Sequence, residues 1–168
     1  MQENKSTKLF RSKKIQTETY NEDGAFITKH YYDDKKNHVK ERILVRGEHK
    51  EINSFTATGV FAKSENFLAG KRDGIETKYF IPKANNSIKS TKSYADGKLN
   101  GESITYNMND EIIKQEVFAL GKLVFKYLRN ETFDIVGITV VDKDSIDNLP
   151  EVEHEKLQTF MCDKPEWF

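Results

Sequence analysis

Along residues 20–128, short runs rich in Thr, Ile, Val, Tyr and Phe are broken at a regular interval by glycine. Alternation of apolar and polar positions with period two marks half-buried strands, so the pattern predicts β-structure. Gly24, Gly47, Gly70, Gly97 and Gly121 are separated by 23, 23, 27 and 24 residues, and the one long interval holds the turn-rich segment Ile81-Pro82-Lys83-Ala84-Asn85-Asn86. Large apolar residues keep the same phase. Leu44, Phe67, Tyr94 and Phe118 stand three positions before successive glycines, and Tyr32, Phe55, Tyr79 and Tyr106 stand eight or nine positions after them. Two such positions per interval predict two strands, and within them the pairs Thr77/Tyr79 and Ile104/Tyr106, two residues apart, share a face. Gly74 and Gly101 each follow a phase glycine by four residues, Gly59 falls midway between Gly47 and Gly70, and Gly137 stands outside the scheme. Glycine beside Asn or Asp suits hairpin turns that need positive φ. Each unit of 23 or so residues therefore reads as one β-hairpin stacked on the next in an antiparallel meander.

The segments Phe67-Leu68-Ala69-Gly70-Lys71-Arg72-Asp73-Gly74-Ile75-Glu76-Thr77-Lys78-Tyr79 and Tyr94-Ala95-Asp96-Gly97-Lys98-Leu99-Asn100-Gly101-Glu102-Ser103-Ile104-Thr105-Tyr106 resemble MORN repeats. More narrowly they are similar to the bacterial variant, in which an aromatic precedes a Gly-Lys turn, a second glycine and a strand ending in Tyr. The resemblance is strong over residues 64–123 and weaker over 20–63, where Gly24 and Gly47 lack the second glycine. It implies a chain of β-hairpins forming an elongated, twisted single sheet. Glu76 and Ser103 stand where the eukaryotic repeat usually has a further glycine. That departure favours the bacterial variant and argues against carrying over the phospholipid binding proposed for some eukaryotic members.

Three regions follow: residues 1–19 as a lead-in strand, 20–128 as the hairpin array, and 129–168 as a terminal strand with a helical cap. Leu123 to Leu128 and Phe133 to Val141 read as two last strands joined near Arg129-Asn130. In the tail, Asp147 or Asn148 can cap a helix, Pro150 suits its first turn, and Glu151, Glu153 and Glu155 place negative charge there. Leu149, Val152, Leu157, Phe160 and Met161 form its apolar stripe before Pro165 ends it, with Trp167 and Phe168 tucked beside it. An array exposes an edge and an apolar face at its end, and this helix is expected to close it.

Composition narrows the object further. The chain has 168 residues, 36% apolar and 32% charged, with 27 cationic against 27 anionic side chains. That is one domain or one short array with little material for a thick core, and no net field recommending nucleic acid or an anionic membrane. The N-terminus lacks the apolar run of a secretory signal, so the chain as written reads as cytoplasmic, or as periplasmic or envelope-associated if such a segment were removed before Met1. Ile135 to Val141 is too short to cross a bilayer. Cys162 is alone, and His30, His38, His49 and His154 lie at no metal-ligand spacing. Asp142, Asp144 and Glu153 match three positions of a calcium loop, but Ile146 and Asp147 stand where an oxygen ligand and glycine are needed, so the loop is broken. The paired glycines precede strands instead of helices, which makes them turn residues and not phosphate cradles. Lys8 to Lys14 and Lys35-Lys36 read as solvated or edge-protecting cations. The phased aromatics read as core.

No catalytic, cofactor or metal constellation emerges. The expectation is a non-catalytic repeat protein that binds a protein partner. The resemblance adds that bacterial members include antitoxin or immunity-type proteins that neutralise a toxin. The alternative is a structural or envelope-associated scaffold.

Overall fold

The computed structural model describes residues 5–33, 37–81 and 87–163, with side chains described through Thr159. Its strands are β1 (Ser6–Leu9), β2 (Ile15–Glu22), β3 (Ala25–Tyr31), β4 (Val39–Arg46), β5 (His49–Phe55), β6 (Phe61–Leu68), β7 (Lys71–Arg72), β8 (Gly74–Tyr79), β9 (Ile88–Ala95), β10 (Lys98–Tyr106), β11 (Ile112–Ala119), β12 (Lys122–Arg129) and β13 (Ile135–Val140). They form one antiparallel sheet in sequence order, with the short β7 pairing β6. A 3-10 turn (Lys143–Asn148) and helix α1 (Glu151–Asp163) follow. The predicted all-β meander of hairpins is present. The lead-in differs from the expected single strand: β1 and β2 are already a hairpin.

Two kinds of turn alternate. At one end of the sheet, Asp23-Gly24, Ala69-Gly70, Asp96-Gly97 and Leu120-Gly121 are two-residue turns in which both residues have positive φ, between 47° and 94°. That geometry matches the right-handed twist of the flanking strands and needs glycine or Asp/Asn chemistry. Gly47 differs. The pair Arg46↔His49 places it first in its two-residue turn, whereas the other phase glycines are second. The one-residue offset moves Leu44 to the face opposite Phe67, Tyr94 and Phe118, because side chains alternate along a strand.

The other end carries wider turns. Phe10, Thr56, Asn107 and Asn130 donate their backbone N–H to the carbonyls of Lys14, Val60, Glu111 and Asp134 at 2.8, 2.8, 2.9 and 3.1 Å. The fourth residue of each, Lys13, Gly59, Asp110 and Phe133, has positive φ. Beyond every wide turn the returning strand carries one extra residue: Gln16, Lys40, Ala62, Lys89, Ile113 and Val136. Such bulges sharpen local twist. Just before them, most of the turns are clasped by an apolar cross-strand pair, as in Leu9↔Ile15, Tyr31↔Val39, Phe55↔Phe61, Tyr79↔Ile88 and Tyr106↔Ile112. Tyr31, not Tyr32, takes this position in the second hairpin. Tyr32 begins the turn and donates its N–H to the His38 carbonyl at 2.9 Å.

Helix α1 and the 3-10 turn lie on the face that carries Val117, Phe125, Tyr127 and Ile138, where Leu149 and Leu157 complete the main core with Ala119 and Val124. Asp142 starts the 3-10 turn, its carboxylate accepting from Asp144 N (3.1 Å) and Ser145 Oγ (2.7 Å). This occupies the acid at the head of the broken calcium-like loop. Asp147 and Asn148 belong to the 3-10 turn and do not cap α1. The Pro150 carbonyl instead accepts from Glu153 N and His154 N. The expected stripe holds at Leu149 and Leu157, but Val152 is 58% exposed and Glu153 is buried. The side chains of Phe160, Met161 and Cys162, and residues Pro165, Trp167 and Phe168 altogether, lie outside the described residues. The helix covers a face of β10–β12 and leaves β13 paired with β12 alone among the described residues.

Candidate functional site

The glycines singled out in the sequence build turns, and their neighbours show how. In Gly70-Lys71-Arg72-Asp73-Gly74 and Gly97-Lys98-Leu99-Asn100-Gly101, the fourth residue reaches the next turn along the sheet. Asp73 Oδ2 accepts from Asp96 N at 3.3 Å, and Asn100 Oδ1 accepts from Leu120 N at 3.1 Å. Gly97 N and Gly121 N donate in turn to the carbonyls of Arg72 (2.8 Å) and Leu99 (2.7 Å). Lys71 pairs with Asp96 across the same step. The motif is therefore a device for stacking one hairpin turn on the next.

Gly74 and Gly101 have the expected positive φ, 91° and 95°, but stand within the strands and not in the turns. Gly101 lies in a bulge between Leu99 and Ser103, where a Cβ would meet Ser93 Cβ at 3.3 Å and Glu153 Oε1 at 3.6 Å. The hairpins of Gly24 and Gly47, which lack a second glycine, pair without a bulge after their turns.

The phased aromatics Tyr32, Phe55, Phe67, Tyr79, Tyr94, Tyr106 and Phe118 are half-buried, not core as expected. The most deeply buried large side chains are Phe125, Ile27, Leu157, Val117 and Val124. The reason is architectural: a single sheet has two faces, and helix α1 seals only part of one, so these rings stay half-buried; on the N-terminal strands Ala25 and Ile27 are also buried. The phased rings pack sideways. Phe55, Phe61 and Tyr79 form a row with centroids 5.3 and 4.8 Å apart, and the Tyr32 hydroxyl donates to the Phe55 carbonyl at 3.0 Å. On the opposite face Arg72 lies over Tyr94 (5.3 Å) and Lys50 over Phe67 (4.5 Å).

That opposite face also holds an ion network. Glu76, 5% exposed, meets Lys63 and Lys78 at 3.3 Å each and Arg72 at 3.8 Å, while Glu65 meets Lys63 and Arg72 at 2.8 Å each. Burial pushes the Glu76 carboxyl up, but hydrogen bonds and charge from Lys63 and Lys78 outweigh it and hold the group below the usual carboxylate range. Near the first strands, the hydrogen bond from Lys5, then that from the Tyr31 hydroxyl (2.8 Å), holds Glu18 low as well. Under the helix, burial and then the charges of Glu102 and Glu153 push Tyr127 up to about 12.

On the helix-bearing face, no helix among the described residues lies over the N-terminal strands, although Ala25 and Ile27 there are buried. An open groove of about 590 Å³ runs there, lined among others by Tyr20, Lys29, His38, Val39, Arg42 and Phe55. Lys29 lies 5.3 Å from the Tyr20 ring centroid, and Arg42 has no ion pair among the described residues. Here Tyr20 and Phe55 stand beside Arg42 and Lys29, with Glu22 also in the lining; Lys29 lies across from Glu18, and its charge helps hold that carboxyl low. No sequence signal marked this groove, because its lining comes from three hairpins and converges only when they pair.

Among the described residues no three His, Cys, Asp or Glu side chains converge as a metal site, and no helix is long and apolar enough to cross a membrane. No protein family's profile matches the chain, and no curated relative was found. Solved structures of S. aureus TarM, one of a variant in complex with fondaparinux, α-GlcNAc-glycerol and UDP, align with 61% of the chain at 17% and 16% identity and a TM-score of 0.43. The chain spans only about a fifth of TarM's length (20% and 19%). The similarity therefore reaches partial backbone resemblance to part of a much larger protein.

Proposed function

We propose that this chain is a non-catalytic, MORN-like repeat module that binds a protein partner on the uncovered part of its helix-bearing face. The observation that carries the reading is the division of that face: helix α1 seals the C-terminal strands, while Tyr20, Lys29, Arg42 and Phe55 stay open over the N-terminal ones. Half-exposed aromatics set beside cations are the composition of a protein-binding patch. The turn-stacking role of Gly-Lys-x-Asp/Asn-Gly supports the MORN-like reading, since its third and fourth residues hydrogen-bond to the turn of the neighbouring hairpin. The resemblance to bacterial repeat proteins of this kind makes a neutralising, antitoxin or immunity-type role the specific form of the proposal, with an envelope-associated scaffold as its alternative.

Lys29→Gln together with Arg42→Gln removes the groove's positive charge without setting a new carboxylate across from Glu18. Capture from the native host should recover one equimolar protein with the wild-type chain and lose it with the double variant at unchanged thermal midpoint. Recovery only with membranes or filaments, equally by both chains, would favour the scaffold.

A further inference from the structure

We propose that β13 is a pairing edge through which two copies of this chain join their sheets about a two-fold axis at Ile138. Among the described residues the sheet has two edges without a partner strand, and they are unlike. β1 is four exposed residues, Lys8 among them, flanked by Lys5, Arg11, Lys13 and Lys14, the usual protection of an open edge. From Ile135 to Val141 the other edge has neither charge nor proline.

Its backbone is presented outward. Val141 N donates to Val124 O at 2.7 Å, so the odd-numbered residues after the bulge, Gly137 and Thr139 among them, turn their polar groups toward β12. Ile138 and Val140 turn theirs to the outer edge. The chain leaves β13 across the sheet and not along that edge: Asp142 N also donates to Val124 O (3.1 Å), and the 3-10 turn packs on β11 and β12. Leu128, Val136 and Val141, 43%, 47% and 54% exposed, extend the apolar margin.

A second copy fits this edge by its own symmetry. In an antiparallel pair, opposed residues share a face, so a two-fold perpendicular to the sheet must pass through a residue and not between two. Through Ile138 it sets Ile138 against Ile138 of the second copy, Gly137 against Thr139, and Val136 against Val140. No like charges oppose, glycine makes room for Thr139, and the row of Phe125, Tyr127 and Ile138 continues across the seam. The same operation at β1 crowds its lysines together. Head-to-tail joining of β13 to β1 offers only four residues and would not close.

Sedimentation equilibrium from about 5 to about 500 µM tests this, since a small edge-to-edge contact gives a reversible, concentration-dependent dimer. The wild-type chain should pass from monomer to dimer within that range. Thr139→Glu faces Lys126 in its own chain, where it is tolerated, but sets two carboxylates on one face of the seam; Val136→Lys places a charge in it. Both variants should stay monomeric at the wild-type thermal midpoint. Amide exchange at Ile138 and Val140 should slow as concentration rises. A wild-type monomer at every concentration, a dimer unaffected by both substitutions, growth beyond the dimer, or slow exchange of those amides in the dilute chain would each overturn the proposal.

Discussion

Ala69 and Gly70 occupy a turn whose two central residues have φ of 47° and 82°. The left-handed region costs an L-residue about 1–2 kcal/mol, and Asn or Asp escapes most of that cost. Ala69 is exposed, and its backbone N–H donates to the Glu48 carbonyl at 3.0 Å, a bond that no side chain takes part in. Ala69→Asn therefore buries nothing and removes nothing, and it should stabilise the chain by about 0.5–1 kcal/mol. Gly70→Ala is the control with opposite sign. A Cβ at Gly70 meets no atom within 4 Å, so its cost is backbone strain alone, about 1–2 kcal/mol. For a chain of this size these translate into a thermal midpoint raised by about 1–4 °C and lowered by about 2–8 °C. Urea unfolding with unchanged slope, run beside the thermal scan, confirms that stability and not the denatured state has moved. A neutral Gly70→Ala, or a destabilising Ala69→Asn, would refute the left-handed pair and with it the turn geometry assigned to the repeat.

Gly97→Val, in the next turn at φ 82°, should cost a kilocalorie per mole or more, read as a lower thermal midpoint. Leu157→Ala removes a side chain 1% exposed between α1 and the sheet and should cost about 2–5 kcal/mol, with dye binding reporting the uncovered face. Glu76→Gln should cost about 1–3 kcal/mol, less than a fully buried pair because its cationic partners are part-exposed. The sign with pH follows from the lowered carboxyl: the contribution of Glu76 is complete above its unfolded value and lost as pH falls through the folded one, so Glu76→Gln should flatten the acid limb of stability against pH. Asn100→Ala leaves Leu120 N without its side-chain acceptor and should cost about 1 kcal/mol by urea midpoint.

The hairpin meander was legible because the glycine period is set by a local requirement, positive φ, that the residue type itself declares. The same local logic explains why Gly74 and Gly101 were recognised as special but placed in turns: a bulge and a turn demand the same φ, and only the cross-strand register separates them. Leu44 and Tyr32 show the limit of phase counting. Gly47 sits one place earlier in its turn, and the clasp in the second hairpin falls on Tyr31, because turns differing by a residue re-aim every side chain beyond them. The aromatics could not be sorted into core and surface from spacing, since what seals Phe125 and leaves Phe55 half-open is a helix that begins 26 residues beyond Phe125 in the chain. The groove of Tyr20, Lys29, Arg42 and Phe55 was invisible for a related reason: contacts of three hairpins carry no local signature.

Tyrosine footprinting of the chain, free and with its captured partner, tests the open-face assignment most directly. In the free chain Tyr127, 7% exposed, should resist modification while Tyr20 and Tyr94 react. On complex formation Tyr20, in the groove, should become protected and Tyr94, on the opposite face beneath Arg72, should not. Protection of Tyr94 with Tyr20 unchanged would place the partner on the other face and contradict the account.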